Sequence, residues 1–90
     1  MRVDVFLKLS RLIPRRSLAQ EFCDAGRIDV NGTSAKSAKE INTGDLITIK
    51  RRDRKTVVRV RSVPEKKQLS KEFAADLYTI VSDEAIDGLS

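Results

Sequence analysis

The sequence has no histidine, no tryptophan and one cysteine, and these shortages exclude most catalytic and metal-binding chemistry. A lone cysteine forms neither an intramolecular disulfide nor a cysteine-rich metal site, so Cys23 is expected to be a small buried apolar residue. The carboxylates are scattered singly, and no phosphate-binding loop of the GxxxxGK(S/T) pattern occurs. We therefore expect a protein that is not an enzyme and that holds no cofactor and no metal ion.

Long hydrophobic runs are also missing. No stretch approaches the roughly 20 consecutive apolar residues that a membrane-spanning helix needs. Asp4, Lys8 and Arg11 interrupt the apolar opening too often for the core of a signal peptide. The 90 residues, 34% of them charged, are expected to form one small cytoplasmic domain with no membrane partner.

Positive charge is present in excess, and it is unevenly distributed. Residues 1–67 contain 17 Lys and Arg against 8 Asp and Glu, whereas residues 68–90 contain 1 against 5. A basic body with an acidic tail is typical of proteins that bind a polyanion, and nucleic acid is favoured over a membrane surface. The alternative is a basic surface that is only solvated.

Apolar spacing in the first part of the chain predicts two short helices. Asp4 is expected to cap the first helix at its N-terminus, and a turn near Leu12 and Ile13 follows. The second helix is predicted to begin at Pro14, because proline favours the first helical position. Gly26 is predicted to end it, since glycine readily adopts the left-handed conformation after a helix.

A period of two replaces the helical spacing beyond the second helix. Asn31-Gly32 predicts a tight hairpin turn between two short strands, and Pro64 is expected to end the last strand because proline cannot donate to a ladder. The predicted strands cover residues 28–30, 34–35, 46–50 and 56–63.

The end of the chain is expected to be a polar linker followed by a tail helix, with Ser70 as its N-cap and Phe73 and Leu77 at helical spacing. The predicted fold class is α+β. Two N-terminal helices pack on a small, mainly antiparallel sheet of about four strands, and a C-terminal tail helix follows. Residues 1–63 form the predicted domain, and residues 64–90 the linker and tail.

Aromatic residues make up only 4% of the chain, which limits how a nucleic acid is bound. Proteins that hold single strands commonly stack bases on aromatic side chains, and here Phe6 and Phe22 are needed for the core. A DNA-reading helix needs base-reading side chains, and the second helix offers only Gln20 and Glu21. The remaining mode is recognition of the backbone and the shape of the nucleic acid, and this mode favours structured RNA.

Arg15 and Arg16 lie in the predicted first turn of the second helix, where the helix dipole disfavours positive charge. Unpaired backbone N–H groups and two guanidinium groups there favour a phosphate, so we interpret the pair as an anion site. The alternative is that both side chains only solubilise the turn. The candidate RNA-binding residues are Arg2, Lys8, Arg11, Arg15, Arg16, Arg27, Lys36, Arg51 and Arg52.

Three further residues are candidates for structural or orienting roles. Asp4 either only caps the first helix or also orients Arg2 or a neighbouring arginine. Asn31 and Gly32 are interpreted chiefly as turn residues. A second basic patch at residues 50–55 is either a secondary RNA contact or a solvated turn.

A longer pattern runs from Arg-apolar-Asp, through a basic pair, to G-x-apolar-x-apolar-N-G and G-D-x-apolar. Its residues are Arg2, Asp4, Phe6, Leu7, Arg11, Arg16, Ala19, Gly26, Val30, Asn31, Gly32, Gly44 and Asp45. The pattern covers about residues 1–62 and resembles the RNA-binding module first described in small-subunit ribosomal protein S-four, which implies the αL-motif RNA-binding fold. Arg15 departs from it, because many relatives carry a serine there that would cap the second helix.

Among stand-alone versions of the module, the chain is similar to the group of bacterial ribosome-associated quality-control protein P. It is more distantly similar to heat-shock-induced proteins that rescue free large ribosomal subunits. The resemblance implies a factor that binds obstructed large subunits, contacts ribosomal RNA and peptidyl-tRNA, and supports alanine tailing of stalled chains by a partner protein.

The acidic tail favours the quality-control group, since the heat-shock group usually carries a longer basic extension. We expect a monomer. Three alternatives stay open: a heat-shock-type recycling factor, an adaptor that binds an acidic protein, and a targeting module of a modification enzyme.

Overall fold

Two short helices precede a five-stranded antiparallel sheet in the computed structural model, which describes residues 1–64 and 74–85. The strand order across the sheet is β2-β1-β3-β4-β5, so β2 and β5 form its edges. The predicted α+β class is confirmed. No helix in these two ranges is long and apolar enough to cross a membrane. The elements are α1 (Val3–Leu9), α2 (Arg16–Asp24), β1 (Ile28–Val30), β2 (Thr33–Ser34), β3 (Leu46–Lys50), β4 (Arg54–Val60) and β5 (Tyr78–Ala85).

Helix α1 begins without a side-chain cap, which corrects the prediction that Asp4 caps it. Arg2 occupies the N-cap position, and Asp4 lies inside the first turn. The first helical N–H groups are bonded instead by the loop before β3: the Val3 N–H donates to the Lys39 carbonyl at 2.8 Å, and the Asp4 N–H to the Ser37 carbonyl at 3.4 Å. The Asp4 carboxylate accepts the next N–H, that of Val5, at 2.8 Å, but it does so from inside the first turn and not from the N-cap position.

Helix α2 begins at Arg16, two residues later than predicted from Pro14. The backbone of Arg15 is extended (φ −131°, ψ 141°), so Arg15 is the N-cap residue. At the other end Gly26 has φ +73°, and its N–H donates to the Cys23 carbonyl at 3.0 Å. The Arg27 N–H donates to the Phe22 carbonyl at 2.9 Å. This is a Schellman motif, and the predicted end at Gly26 is confirmed.

The Asn31-Gly32 turn connects β1 to β2 as predicted, with both residues at positive φ (53° and 83°). The Asn31 side chain also reaches across the sheet. Its Oδ1 accepts the Leu46 N–H at 3.0 Å, and its Nδ2 donates to Asp45 Oδ1 at 3.2 Å. Asn31 thus fixes the hairpin to the start of β3 as well as forming the turn.

The core lies between the two helices and one face of the sheet. Alternating residues of β3 and β4 are buried, and the apolar side of each helix covers them. Cys23 is buried in this cluster as expected, and burial raises the pKa of its thiol to about 11, with smaller contributions from Asp4 and Asp24. The fully buried core residues include Phe6, Leu7, Ile28, Ile47, Ile49 and Val58.

The predicted tail helix is wrong over residues 78–85, which form β5 along the free edge of β4. A short 3₁₀ turn, Ala75–Leu77, precedes the strand, and the predicted N-cap and Phe73 lie outside the described residues. Tyr, Thr, Ile and Val in succession favour a strand, and the edge of β4 supplies a partner. β4 ends at Val60, four residues before Pro64, and just beyond it the Arg61 N–H donates to the Leu77 carbonyl at 2.8 Å.

Candidate nucleic-acid interface

One buried carboxylate at the start of α1 binds side chains from both helices. Asp4 is fully buried and accepts two hydrogen bonds from Arg2, Nε to Oδ1 and Nη2 to Oδ2, both at 3.2 Å. From α2, Arg16 Nε donates to Oδ2 at 3.2 Å and Gln20 Nε2 at 3.0 Å. The Val5 N–H donates to Oδ1 at 2.8 Å. Asp4 therefore fixes α2 to α1 and orients two arginines.

The protonation state of Asp4 follows from these contacts. Burial alone raises the pKa of a carboxyl, but the hydrogen bonds from Gln20 and Arg16, the charge of Arg2 and the Val5 N–H together lower the pKa of Asp4 below its ordinary value. Asp4 is therefore an anion at neutral pH. One carboxylate shared by two guanidinium groups leaves an excess of positive charge at this position.

Arg2, Lys8 and Arg16 line one groove beside α1, together with the apolar side chains of Val5 and Leu9. Glu40 lines the same groove, and its carboxylate is paired with the N-terminal amino group of Met1 at 2.8 Å. The Arg2 side chain is 40% exposed and that of Arg16 is 49% exposed, although both are bonded to buried Asp4. Lys8 is exposed. The structure thus brings three predicted RNA-binding residues together. We use the name helical face for these three residues together with Asp4, which orients Arg2 and Arg16.

The guanidinium groups of the helical face keep free donors for a ligand. Arg16 donates only Nε to Asp4, so its two Nη groups have no partner in the described part of the chain. Arg2 donates Nε and Nη2, and its Nη1 is directed away from that bond. Phosphate oxygens match such planar donor groups well, because guanidinium binds them through paired hydrogen bonds.

Arg11 and Arg15 lie between the two helices and are exposed. Arg11 has φ +61°, a left-handed conformation that costs a residue other than glycine about 1–2 kcal/mol. Its N–H donates to the Lys8 carbonyl at 3.1 Å and so ends α1. Glycine would perform that backbone role with less strain, so the outlier favours a function for the Arg11 side chain.

Arg27 and Lys36 lie apart from the helical face. Arg27 follows the C-terminus of α2 and is placed over the Phe22 ring, 5.8 Å from its centroid, a cation–π contact that holds the side chain on the protein. Lys36 borders a shallow depression with Cys23 and Gly26 at the same end of α2. Neither residue shares the groove of Arg2 and Arg16.

The second basic patch surrounds the turn between β3 and β4, and we call residues 50–55 the basic turn. Lys50 Nζ lies 2.9 Å from Asp29 Oδ2, and Arg54 Nη1 lies 3.0 Å from Asp83 Oδ1. Arg51 Nη2 donates to the Leu12 carbonyl at 2.8 Å. Three of the cations here are therefore bonded to the protein itself.

Arg52, Arg54 and Lys55 are the exposed cations of the basic turn, and of these Arg54 is paired with Asp83. Arg52 lies at the bend, and Lys55 is paired in register with Glu84 of β5. Of the two predicted RNA-binding residues in this region, Arg52 faces solvent, whereas Arg51 is half-buried and connects the turn to the loop between the helices.

Sequence reasoning missed two residues that organise these regions. Gln20 is the third side chain that donates a hydrogen bond to Asp4. It follows Arg16 by four residues, and this spacing is the signal that would have placed both residues on one side of α2. Asp83 pairs with Arg54 from a segment expected to be helical, so no local signal in the sequence indicated the contact.

Known proteins resemble this chain over most of its length. Residues 1–47 match the family model of the S4 domain. A Bacillus subtilis protein named RQC P-site tRNA stabilizing factor is 43% identical over 86 residues, which cover 96% of this chain and 98% of that protein. A protein of the same name from Halalkalibacterium halodurans is also 43% identical, over 96% of each chain.

A solved structure shares the fold. Heat shock protein 15 of Vibrio cholerae, which is described as trimeric, is similar to this chain with a TM-score of 0.80 and 25% sequence identity. The similarity covers 91% of this chain and 82% of that one. The arrangement of helices and sheet is therefore common to both proteins.

Proposed function

The chain belongs to the S4 domain family, and from that membership we propose that it is a non-enzymatic RNA-binding factor that acts on large ribosomal subunits carrying peptidyl-tRNA. Two relatives similar over nearly their whole length carry the name RQC P-site tRNA stabilizing factor, which supports a role with tRNA on the ribosome. The excess of positive charge in residues 1–67 supports a polyanionic ligand.

The observation that carries the proposal is the network around Asp4. A buried carboxylate holds Arg2 and Arg16 in fixed orientations and leaves guanidinium donors exposed in the groove that Lys8 also lines. Because the donors are oriented before binding, less side-chain entropy is lost when phosphate oxygens accept their hydrogen bonds. The helical face would therefore bind the phosphate backbone of folded RNA.

We propose that the other candidate residues add RNA contacts around the helical face. Arg11 and Arg15 continue it across the loop between the helices, and Arg27 contacts RNA near the end of α2. Lys36 and Arg52 provide outlying contacts, and Arg51 acts mainly through the Leu12 carbonyl that it holds. Phe6 is fully buried, so bases are not stacked on it.

The finer role that we propose is support of ribosome-associated quality control. With the helical face on ribosomal RNA and the tRNA in the peptidyl site, the protein would hold peptidyl-tRNA while a partner protein extends the stalled chain with alanine. No proton transfer or bond formation is assigned to this chain. The proposed protein is a cytoplasmic monomer, and light scattering of the purified chain tests its size against the trimer described for the Vibrio cholerae protein.

The first experiment measures binding to purified large subunits that carry peptidyl-tRNA, over a series of salt concentrations. Arg16→Ala is expected to weaken binding about 10-fold, since hydrogen bonds to charged groups contribute roughly 1.5–3 kcal/mol. It should also flatten the salt dependence by about 0.7–0.9 in log K against log salt, the contribution of one phosphate contact.

Arg61→Ala is the matched control, because Arg61 is exposed, follows the end of β4 and lies outside the proposed interface. It removes the same charge and should change binding less than about 2-fold. Equal effects of the two variants would show that only net charge matters and would contradict the proposed interface.

Two further measurements separate the alternatives. After RNase treatment an RNA-binding factor leaves the large-subunit fraction, whereas an adaptor for an acidic protein stays with its partner. The shared fold with heat shock protein 15 keeps a recycling factor as a second candidate. A recycling factor would promote removal of peptidyl-tRNA from the subunit, whereas the proposed factor should slow its loss.

A further inference from the structure

Strand β5 places a carboxylate beside the basic turn. Asp83 lies opposite Thr56 in the β4–β5 register. Its Oδ1 accepts from Arg54 Nη1 at 3.0 Å and from Thr56 Oγ1 at 3.1 Å. These hydrogen bonds lower the pKa of Asp83, against a smaller opposing effect of burial, so the carboxylate is ionised at neutral pH.

The contacts of Asp83 continue through the protein toward the loop between the helices. Thr56 is buried, and while its hydroxyl donates to Asp83 its Oγ1 accepts from Arg51 Nη1 at 3.3 Å. Arg51 Nη2 donates in turn to the Leu12 carbonyl at 2.8 Å. A hydroxyl can donate once and accept as well, so all of these bonds are compatible.

This chain of bonds changes what the basic turn presents to a polyanion. Arg54 is already paired with a carboxylate, and Arg51 is held against the Leu12 carbonyl. A phosphate approaching the turn meets the negative charge of Asp83 beside Arg54, which lowers the local attraction. On the helical face, by contrast, one carboxylate is shared by Arg2 and Arg16.

We propose that Asp83 is a specificity-determining residue, which weakens RNA binding at Arg54 of the basic turn and so favours binding of structured RNA at the helical face. The inference rests on the proposed RNA-binding function and adds to it a role for the acidic strand. In this account β5 discriminates against non-specific polyanions, because its Asp83 neutralises Arg54, which would otherwise be available to any phosphate backbone.

The test compares Asp83→Asn with Glu84→Gln in the full chain, using mixed-sequence duplex RNA as the non-specific probe. Both variants remove one negative charge from β5, but Glu84 lies opposite Lys55 and not Thr56. Asp83→Asn is expected to raise affinity for the duplex about 3- to 10-fold at low salt and to steepen the salt slope by about 0.7–0.9. Glu84→Gln should raise affinity less than about 2-fold.

A second variant identifies the cation that is released. Combining Asp83→Asn with Arg54→Ala should return both the affinity and the salt slope to those of the parent protein, because Arg54 supplies the new phosphate contact. Circular dichroism of each variant checks that the sheet is kept.

The results distinguish this inference from the proposed function. If the parent protein binds large subunits with a salt-dependent affinity, and Asp83→Asn and Glu84→Gln change duplex binding equally, the role of Asp83 is contradicted and the RNA-binding function stands. If the parent protein shows no salt-dependent binding to large subunits or to the duplex, the proposed function itself fails.

Discussion

On the helical face one buried carboxylate holds two arginines, whereas around the basic turn Asp29 and Asp83 each hold one basic side chain. Both regions look alike in the sequence, as groups of Lys and Arg with few acidic neighbours. They differ in how the carboxylates are shared, because Asp4 is divided between two arginines whereas Asp29 and Asp83 each pair with one cation. The density of basic residues along a chain therefore does not identify the surface on which positive charge remains available.

The two regions differ in burial as well. Asp4 is fully buried, so its hydrogen bonds are shielded from solvent and fix the arginine orientations, whereas the Asp83 side chain is 39% exposed. Exposed ion pairs are screened by water and salt and contribute little to stability. We therefore expect Asp4 to act on both fold and binding, and Asp83 mainly on the charge that the surface presents.

The largest expected effect is on the free energy of unfolding of Asp4→Asn. Asparagine keeps one acceptor oxygen, and its amide nitrogen would face donors from Gln20 and Arg16 at the position of Oδ2. Loss of hydrogen bonds to a buried charge should destabilise the protein by about 2 kcal/mol in urea unfolding. Asp83→Asn, the counterpart in the other region, should leave the unfolding midpoint nearly unchanged. Similar losses in both variants would remove the distinction between the regions.

Acid should weaken the helical face through the same carboxylate. The pKa of Asp4 in the fold lies below its ordinary value of 3.8, so its stabilising effect is complete above that value and is lost as the pH falls through the folded pKa. The stability difference between the parent protein and Asp4→Asn should therefore shrink as the pH falls from about 5 toward 2. Unfolding curves at several pH values measure it. A difference that stays constant with pH would contradict the ionised state of Asp4.

A smaller effect is expected at the junction between the helices. Arg11→Gly relieves the positive φ of +61° and should stabilise the fold by up to about 1 kcal/mol, while RNA affinity falls several-fold. Thermal unfolding and RNA binding, measured on the same variant, check the expected gain in stability and the expected loss of affinity. If the variant gained stability without losing affinity, Arg11 would not belong to the interface.

Local signals in the sequence were sufficient to predict the turns and the residues of the core. Asn31-Gly32 and Gly26 adopt the positive φ values that their turns require, and the apolar alternation of β3 and β4 gives the buried face. The resemblance to the S-four RNA-binding module is also confirmed, because it depends on the order of many residues in the first half of the chain.

Contacts between distant segments were not predictable in the same way. Asp4 was expected to cap α1, but the N–H groups there bond to carbonyls of Ser37 and Lys39, which only the folded chain brings near. The predicted tail helix depends on the helical spacing of Phe73 and Leu77, but residues 78–85 pair with the free edge of β4 and form a strand. The pairing of Arg54 with Asp83 depends on that strand, so it could not be predicted while the segment was expected to be helical.

The most direct test of the account follows the arginine side chains by NMR while structured RNA is added. We predict that the Nε–H signals of Arg2 and Arg16 shift on binding, because their guanidinium groups are the proposed phosphate ligands. Those of Arg51 and Arg54 should stay in place, since Arg54 has its own carboxylate in Asp83 and Arg51 donates both Nη groups to Thr56 and the Leu12 carbonyl. Shifts confined to Arg51 and Arg54, with Arg2 and Arg16 unchanged, would place the RNA on the other basic region and contradict the account.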